Sequence, residues 1–428
     1  MEKQTFLTGF MLFALFFGAG NLIYPPTLGI EAGTSYWTAL IGFILTGVGL
    51  PILAIAAVAI VSNDEIEIGN QVHPKFGLIF SSIIYLAIGP FFGIPRAANV
   101  AFEMGVLPLT NQLKPSLLLF GFTIVFFLIV FWLSLNPSKL VERIGQWLTP
   151  ALVLAIAALS IGGIIFLDAD VTAPTTNYES SPFFTGFIQG YLTMDAIAAL
   201  AFGIIVVTAL KGQGITSKKR LVVSTIKSGL ISGIALAVVY GAIGWIGTQM
   251  AMKGSFKNGG QILSTAAELM YGEYGKLLLG IIVLLACLTT SVGLTVACGQ
   301  FFSTKTRLRY RSVVGVISII SFFIANLGLN QIISFSIPVL VTIYPIAIVL
   351  IVLTFLNAST TVYRLVILFT AFISMLDGLG AFGLSFATEN AFVEGLPFYS
   401  LGLGWLIPAI IGAVLGFLYD MIITKRTA

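Results

Sequence analysis

LFFGAGNLIYPP, residues 15–26, lies inside the first long apolar run of the chain and cannot hold a regular helix comfortably. Its glycines weaken a helix through backbone entropy, and each of its two prolines lacks the N–H that a helix needs. In hydrocarbon, a freed backbone is tolerated only where it is buried in protein or lines a watery cavity. The segment therefore predicts a binding site within a membrane. The plainer alternative is that Gly and Pro are frequent in membrane helices, and this chain has 45 Gly and 16 Pro.

The composition supports a membrane location for this segment. Of the 428 residues, 58% are apolar and 9% are charged, whereas about a quarter of the residues in soluble domains are charged. These proportions exclude a soluble enzyme. The net charge of +4 is small and the basic residues lie between apolar runs, so the charge gives no indication of a nucleic-acid partner.

Twelve apolar runs bounded by charges, Pro or Gly are candidates for crossing a bilayer, which takes about 20 residues. The chain is therefore predicted to be an all-α polytopic membrane protein with twelve transmembrane helices. The predicted spans are 5–32, 36–62, 77–105, 115–135, 142–167, 183–209, 221–250, 275–303, 312–326, 331–356, 364–387 and 400–421. Eleven or thirteen spans are the alternative, because a merged or split span is the commonest hydropathy error.

The basic residues set the predicted orientation. With the amino terminus inside, sixteen of the 21 Lys and Arg residues lie on the cytoplasmic side, four lie outside and Arg96 lies within a span. This asymmetry obeys the positive-inside rule, so both termini are predicted to be cytoplasmic. The amphipathic stretch at residues 256–275 then lies outside, where we expect a short helix that covers the outward vestibule.

A second interruption is predicted in GYLTMDAIAALAFG (190–203), where Asp195 lies near the centre of an apolar span beside Thr193. An aspartate at that depth costs about 2.5–3.5 kcal/mol on insertion scales. Its carboxylate is therefore expected to face a cavity and to have a partner.

The two interruptions are 175 residues apart, from Gly20 to Asp195, which corresponds to five spans. If spans 1–5 and 6–10 are two copies of one unit, the second copy begins on the opposite side of the membrane from the first, because five is an odd number. We therefore expect a 5+5 inverted repeat with broken helices 1 and 6, a pattern typical of secondary transporters with a site between the repeats. The predicted units are residues 1–167, residues 183–356 and two peripheral spans at 364–421.

Two facing helix breaks suit a small zwitterion. The amino end of a half-helix offers unpaired N–H groups to a carboxylate, and the carboxyl end offers carbonyls to a cation or an ammonium group. Gly18, Ala19 and Gly20 let a ligand approach the backbone closely. The apolar side chains nearby, Phe16, Phe17 and Met194, favour an apolar side chain on that ligand.

CLTTSVG (287–293) in predicted span 8 carries three consecutive hydroxyls, those of Thr289, Thr290 and Ser291. Together with carbonyls of broken helix 1, they suit a hard monovalent cation that prefers oxygen ligands. The alternative is that these hydroxyls bond back to their own helix, as is common in membranes.

FFGAGNLIYPP near the amino terminus, TMDAIAALAFG in span 6, LTTSVG in span 8 and the twelve predicted spans together resemble the branched-chain amino acid:cation symporter family of bacteria. The resemblance extends along essentially the whole chain. It implies a leucine-transporter-like inverted-repeat fold, a location in the bacterial cytoplasmic membrane, and uptake of leucine, isoleucine or valine driven by Na⁺.

The same resemblance implies particular site residues. The substrate carboxylate is expected at the amides of Gly18, Ala19, Gly20 and Asn21, and its ammonium group at carbonyls around Thr193, Met194, Asp195 and Ala196. The Na⁺ site is expected to combine carbonyls near Ala14 and Phe17 with hydroxyls from Thr289, Thr290 and Ser291. Which two hydroxyls face the ion stays open, as does the choice between Na⁺ and H⁺.

Arg96 follows two prolines in GPFFGIPRAAN (89–99), where the helix is expected to kink. Its guanidinium is expected to approach the cavity and to pair with Asp195, Glu103 or the substrate carboxylate. The alternative is that it snorkels to the interface or pairs with an acid in a loop.

Three other functions are alternatives to Na⁺-coupled transport. H⁺ coupling through Asp195 is the closest alternative. An intramembrane aspartyl protease would pair Asp195 with Asp377, but neither acid lies in the motifs that such proteases use. A channel fits less well, because broken inverted repeats suit alternating access. The expected partners are a small amino acid and the lipid bilayer, and no obligatory protein partner is evident.

Overall fold

The computed structural model describes residues 2–61, 68–110, 114–136, 149–212, 214–215, 217–384 and 395–427. Every regular element in these ranges is helical. The α-helices are α1 (Glu2–Phe16), α2 (Ala19–Ala32), α3 (Tyr36–Ile44), α4 (Leu50–Val61), α5 (Pro74–Leu86), α6 (Gly93–Gly105), α7 (Pro115–Ser134), α8 (Thr149–Phe166), α9 (Thr176–Glu179), α10 (Pro182–Tyr191), α11 (Asp195–Gly212), α12 (Lys218–Met250), α13 (Gly259–Tyr271), α14 (Glu273–Lys305), α15 (Tyr310–Ala325), α16 (Leu329–Phe355), α17 (Thr360–Ala381) and α18 (Leu406–Thr427).

Eight helical stretches in the described residues are long and apolar enough to cross a membrane. One of them, Ala19–Val61, has 43 residues, about twice the length that one crossing needs. α2 ends within it, before Gly33, whose φ of +46° is a conformation that side-chain-bearing residues avoid. The polytopic all-α class is thus confirmed, whereas the count of twelve spans and the division at 1–167, 183–356 and 364–421 stay predictions.

Some predicted span boundaries differ from the helices. The last span was expected from residue 400, but α18 begins at Leu406, because a short turn at Tyr399–Leu401 and the left-handed Gly402 (φ +71°) precede it. The beginning of the fifth predicted span (142–148) and the end of the eleventh (385–387) lie outside the described residues.

The predicted kink before Arg96 is confirmed. A wider π-helical turn at Ala87–Phe91 joins α5 to α6, and Gly89 within it has the non-helical angles φ −87° and ψ −116°. Pro90 cannot donate a backbone hydrogen bond there, so the helix opens at this point. The short helix expected in residues 256–275 is also present, as α13.

Glycines let the interrupted helices lie against their neighbours at backbone contact. α2 packs on α12, where a Cβ on Gly29 would come within 2.0 Å of the Gly244 carbonyl oxygen. α10 packs on α3 in the same manner, where a Cβ on Gly186 would come within 2.0 Å of the Ala39 carbonyl oxygen. These contacts pack both interrupted helices closely against continuous ones in this conformation.

Candidate functional site

The first break separates α1 from α2. α1 ends at Phe16 and α2 begins at Ala19, with Gly18 between them in an extended conformation (φ −134°, ψ −157°). The first N–H groups of α2 have no partner within their own helix, so they are available to an anion. The Asn21 side chain crosses the gap and donates from Nδ2 to the Phe16 carbonyl oxygen at 2.6 Å, while its Oδ1 is buried without a partner among the described residues.

The second break separates α10 from α11. α10 ends at Tyr191 and α11 begins at Asp195, and Met194 between them has φ +70°. A left-handed conformation is costly for a residue with a side chain and is typical of functional sites. The Thr193 hydroxyl donates to the Gly190 carbonyl oxygen at 2.9 Å and so holds the end of α10.

The two breaks lie side by side. A Cβ built on Gly20 would lie 2.9 Å from the Thr193 carbonyl oxygen and 2.9 Å from Nη2 of Arg96, so the helices touch where the glycine is. A cavity of about 30 Å³ lies between them, room for one or two water molecules. A larger ligand therefore requires the breaks to move apart.

Seven of the eight residues implied for the substrate line this cavity. The seven are Gly18, Ala19, Gly20, Asn21, Thr193, Met194 and Asp195. Ala196 is buried in the first turn of α11 and does not line the cavity. Phe16 and Phe202 add apolar surface, with their rings 5.9 Å apart.

Arg96 on α6 fills the second break. Its side chain is 3% exposed, and it donates from Nη1 to the Leu192 carbonyl oxygen at 2.8 Å and from Nη2 to the Thr193 carbonyl oxygen at 3.0 Å. The hydroxyl of Tyr24 accepts a third, longer bond of 3.4 Å. The guanidinium thus binds the carbonyl oxygens that follow α10. One of them, that of Thr193, is a carbonyl that the family resemblance implies for the substrate ammonium group.

Neither acid expected to pair with Arg96 hydrogen-bonds to it within the described part of the chain. Glu103 instead accepts a 3.2 Å bond from Nδ2 of Asn258, at the start of α13. Asp195 is buried and accepts a 2.9 Å bond at Oδ2 from the hydroxyl of Tyr240 on α12. Sequence reasoning missed Tyr240, because a lone tyrosine in an apolar span carries no motif.

The cation cluster predicted from the sequence is brought together beside this cavity. The Thr290 hydroxyl lies 3.3 Å from the carbonyl oxygens of Leu15 and Phe17. The Thr289 hydroxyl lies 3.4 Å from the Ala14 carbonyl oxygen and 2.9 Å from that of Ala286 on its own helix. The predicted bond back to the helix and the predicted contact with broken helix 1 therefore coexist at Thr289.

Two further residues refine the cluster. Ser291 is fully buried, and its hydroxyl has no hydrogen-bond partner among the described residues. The Leu15 carbonyl was not predicted, and no sequence signal distinguishes one main-chain oxygen from the next.

The described residues hold no group of three His, Cys, Asp or Glu side chains that would suit a transition metal. Carbonyl and hydroxyl oxygens alone suit a hard cation of low charge.

A second cavity of about 370 Å³ opens on the side of the molecule predicted to be cytoplasmic. It lies between α4, α5, α11 and α14, and Lys211 and Lys305 line it. Neighbouring residues of α11 face the two cavities, Phe202 the small one and Ala201 the large one. α11 thus contributes to the lining of both cavities.

The chain matches known proteins along its whole length. Residues 1–423 match the model of a family described as "Branched-chain amino acid transport protein". The branched-chain amino acid permease BrnQ of Bacillus subtilis is 46% identical over 430 residues, 98% of this chain and 98% of that protein. The permease BraB of the same organism is 43% identical over 428 residues, 98% of this chain and 96% of that protein.

A solved structure is also similar. Mhp1, a nucleobase-cation-symport-1 family transporter in a closed conformation with bromovinylhydantoin bound, superimposes with a TM-score of 0.62. The likeness covers 99% of this chain and 93% of that chain at 13% sequence identity. At this identity the likeness bears on the fold alone.

Proposed function

This chain belongs to the branched-chain amino acid transport protein family, and from that premise we propose that it imports leucine, isoleucine and valine by alternating access, driven by Na⁺. Family membership also means that the chain is a transport protein and not an enzyme, as its permease relatives indicate. The observation that carries the finer proposal is the meeting of the two helix breaks at Gly20 and Thr193.

The proposed substrate mode places the zwitterion between the breaks. Its carboxylate accepts from the free amides of Gly18 to Asn21 at the positive end of α2. The buried carboxyl group of Asp195 lies beside this place and is the proposed partner of the ammonium group. The branched side chain packs against the apolar lining that includes Phe16, Met194 and Phe202.

The proposed coupling ion is Na⁺ at the cluster that joins α1 to α14. The carbonyl oxygens of Ala14, Leu15 and Phe17 give the carboxyl end of α1 a partial negative charge. The Thr289 and Thr290 hydroxyls add neutral oxygens from the facing helix. A cation here ties α1 to α14 and steadies the adjacent break, which gives the ion a physical reason to favour substrate binding.

The proposed architecture is the 5+5 inverted repeat in the bacterial cytoplasmic membrane, with both termini in the cytoplasm. It is supported by the packing of α2 on α12 and of α11 on α4. In such a repeat α2 and α11 are counterparts, as the second halves of spans 1 and 6, and spans 7 and 2 are counterparts as well. The cavity beside Lys211 and Lys305 then serves as the cytoplasmic exit.

Proton coupling is the second candidate, and the burial of Asp195 is the observation that favours it. A carboxyl group in that position binds or releases a proton where a transporter can exchange it across the membrane. Under this candidate the cluster at Thr289 and Thr290 holds no ion and only joins α14 to α1.

Labelled leucine uptake into proteoliposomes with unlabelled competitors tests the substrate proposal. We expect isoleucine and valine to compete strongly, and lysine and glutamate not to compete, because the apolar lining offers no partner to a second charge. Equal competition by charged amino acids would contradict the proposal.

A further inference from the structure

Arg96 is the buried cationic side chain that lines the cavity between the breaks. We propose that Arg96 is itself a substrate-binding residue, and that its guanidinium receives the substrate carboxylate together with the amides of α2. The inference rests on the proposed amino acid substrate and deepens it. It names a carboxylate-binding group outside the two interrupted helices, on α6.

The hydrogen bonds of Arg96 leave donors free. A guanidinium has five N–H groups in a fixed fork. The Leu192 and Thr193 carbonyls and the Tyr24 hydroxyl take three of them. The Nε–H is buried without a partner among the described residues. A buried N–H without a partner is unfavourable, so a bound acceptor would relieve it.

The surroundings favour an anion as that acceptor. Nη2 of Arg96 lies 2.9 Å from the Cβ position of Gly20, so the guanidinium adjoins the positive amino end of α2. Two sources of positive potential side by side favour a negative group between them. Asp195 is the nearby acid, but its Oδ2 accepts from Tyr240, and it does not bond directly to Arg96 in the described structure.

An arginine suits this task better than a lysine. It binds the carbonyl end of α10 with two nitrogens and keeps a planar edge for a carboxylate. One side chain therefore neutralises the second break and recognises the ligand. A carboxylate drawn to Arg96 would lie next to the α2 amides, so both groups would bind the same oxygens.

The experiment compares leucine with leucinamide, in which a neutral amide replaces the carboxylate. Binding of both to the purified full chain is measured by competition with labelled leucine at saturating Na⁺, for the wild type, Arg96→Gln and Arg96→Lys. Arg364→Gln is the matched control, because Nε of Arg364 donates to the Val72 carbonyl oxygen at 3.1 Å and Arg364 does not line the cavity.

We expect Arg96→Gln to lower the preference for leucine over leucinamide by about tenfold or more, because a charge-assisted bond to the carboxylate is lost. Arg96→Lys, which keeps the charge without the fork, is expected to give an intermediate preference, and Arg364→Gln an unchanged one. If Arg96 only holds the break, both ligands weaken together and the preference is unchanged, which would overturn the inference.

Two measurements separate the possible failures. If Arg96→Gln does not fold, as judged by size-exclusion chromatography and thermal unfolding, Arg96→Lys alone decides: a preference equal to the wild type would overturn the inference. If the wild-type chain itself binds no leucine, the proposed function fails instead. Binding of leucine by the wild type with equal affinity for leucinamide would overturn the role of Arg96 while leaving leucine transport intact.

Discussion

The two helix breaks differ in what satisfies their carbonyl ends. At the second break the Leu192 and Thr193 carbonyls already bind a fixed cation, the guanidinium of Arg96. At the first break, within the described residues, the carbonyls of Leu15 and Phe17 meet only the neutral hydroxyl of Thr290. Because both ends carry partial negative charge, a mobile cation would complement the first break, where the protein supplies no fixed one among the described residues. The comparison teaches that the second break has a cation built into the protein, whereas the first break leaves carbonyl oxygens that suit the proposed coupling ion.

The largest expected effect follows from closing the space between the breaks. Gly20→Leu would drive a side chain into Nη2 of Arg96 and the Thr193 carbonyl oxygen, each 2.9 Å from the Cβ position. We expect leucine binding to fall below detection, measured with labelled leucine on the purified protein. The matched control is Gly121→Leu on α7, where nothing lies within 4 Å of the added Cβ. Retained binding by a folded Gly20→Leu protein would remove the site from this break.

A smaller loss of leucine affinity is expected when Asp195 is changed. This substitution tests whether the second break acts through its charge or through its shape. Asp195→Asn keeps the volume and removes the negative charge, so leucine affinity is expected to fall about tenfold to a hundredfold at neutral pH. Tyr240→Phe, which keeps the charge and removes one donor to it, is expected to cost less. Uptake by Asp195→Asn that matches the wild type at every pH would exclude both a charge role and a proton role.

The smallest effect concerns the first break. Thr290→Ala removes a hydroxyl 3.3 Å from the carbonyl oxygens of Leu15 and Phe17, so the Na⁺ concentration for half-maximal uptake is expected to rise about three- to tenfold. Leucine affinity at saturating Na⁺ is expected to stay close to the wild type. Thr295→Ala is the control, because that hydroxyl bonds to the Ser291 carbonyl within its own helix.

Ser291→Ala sharpens the same test. The Ser291 hydroxyl contacts no described carbonyl of α1, so the variant is expected to have a Na⁺ dependence like that of the wild type. A loss at Ser291 with none at Thr290 would mean that the ion binds on a different face of α14.

Both breaks could be found from the sequence because their causes are local. Gly18 and Gly20 weaken a helix wherever they occur, and an aspartate such as Asp195 in an apolar run needs a polar setting. The polytopic class followed from composition for the same reason. These features depend on one segment at a time, and the structure brings the segments together at Gly20 and Thr193.

The missing parts of the site depend on packing between distant segments. Tyr240 reaches Asp195 from α12, and Arg96 reaches the end of α10 from α6, although neither contact has a spacing rule in the sequence. The structure places the hydroxyl triplet beside the first break, but its register could not be read from the sequence, because helix rotation decides whether Thr289, Thr290 or Ser291 meets the end of α1. The first residue of α18 was misjudged because Gly402 and its turn follow apolar residues.

The central proposal is that a coupling cation binds at the carbonyl end of the first break while the substrate binds between the two breaks. Labelled leucine uptake into proteoliposomes, with Na⁺ and H⁺ gradients imposed separately, tests it most directly. We predict concentrative uptake with an inward Na⁺ gradient at equal pH on both sides, and none with a pH gradient in the absence of Na⁺. Concentrative uptake driven by the pH gradient alone, unchanged when Na⁺ is added, would contradict the account.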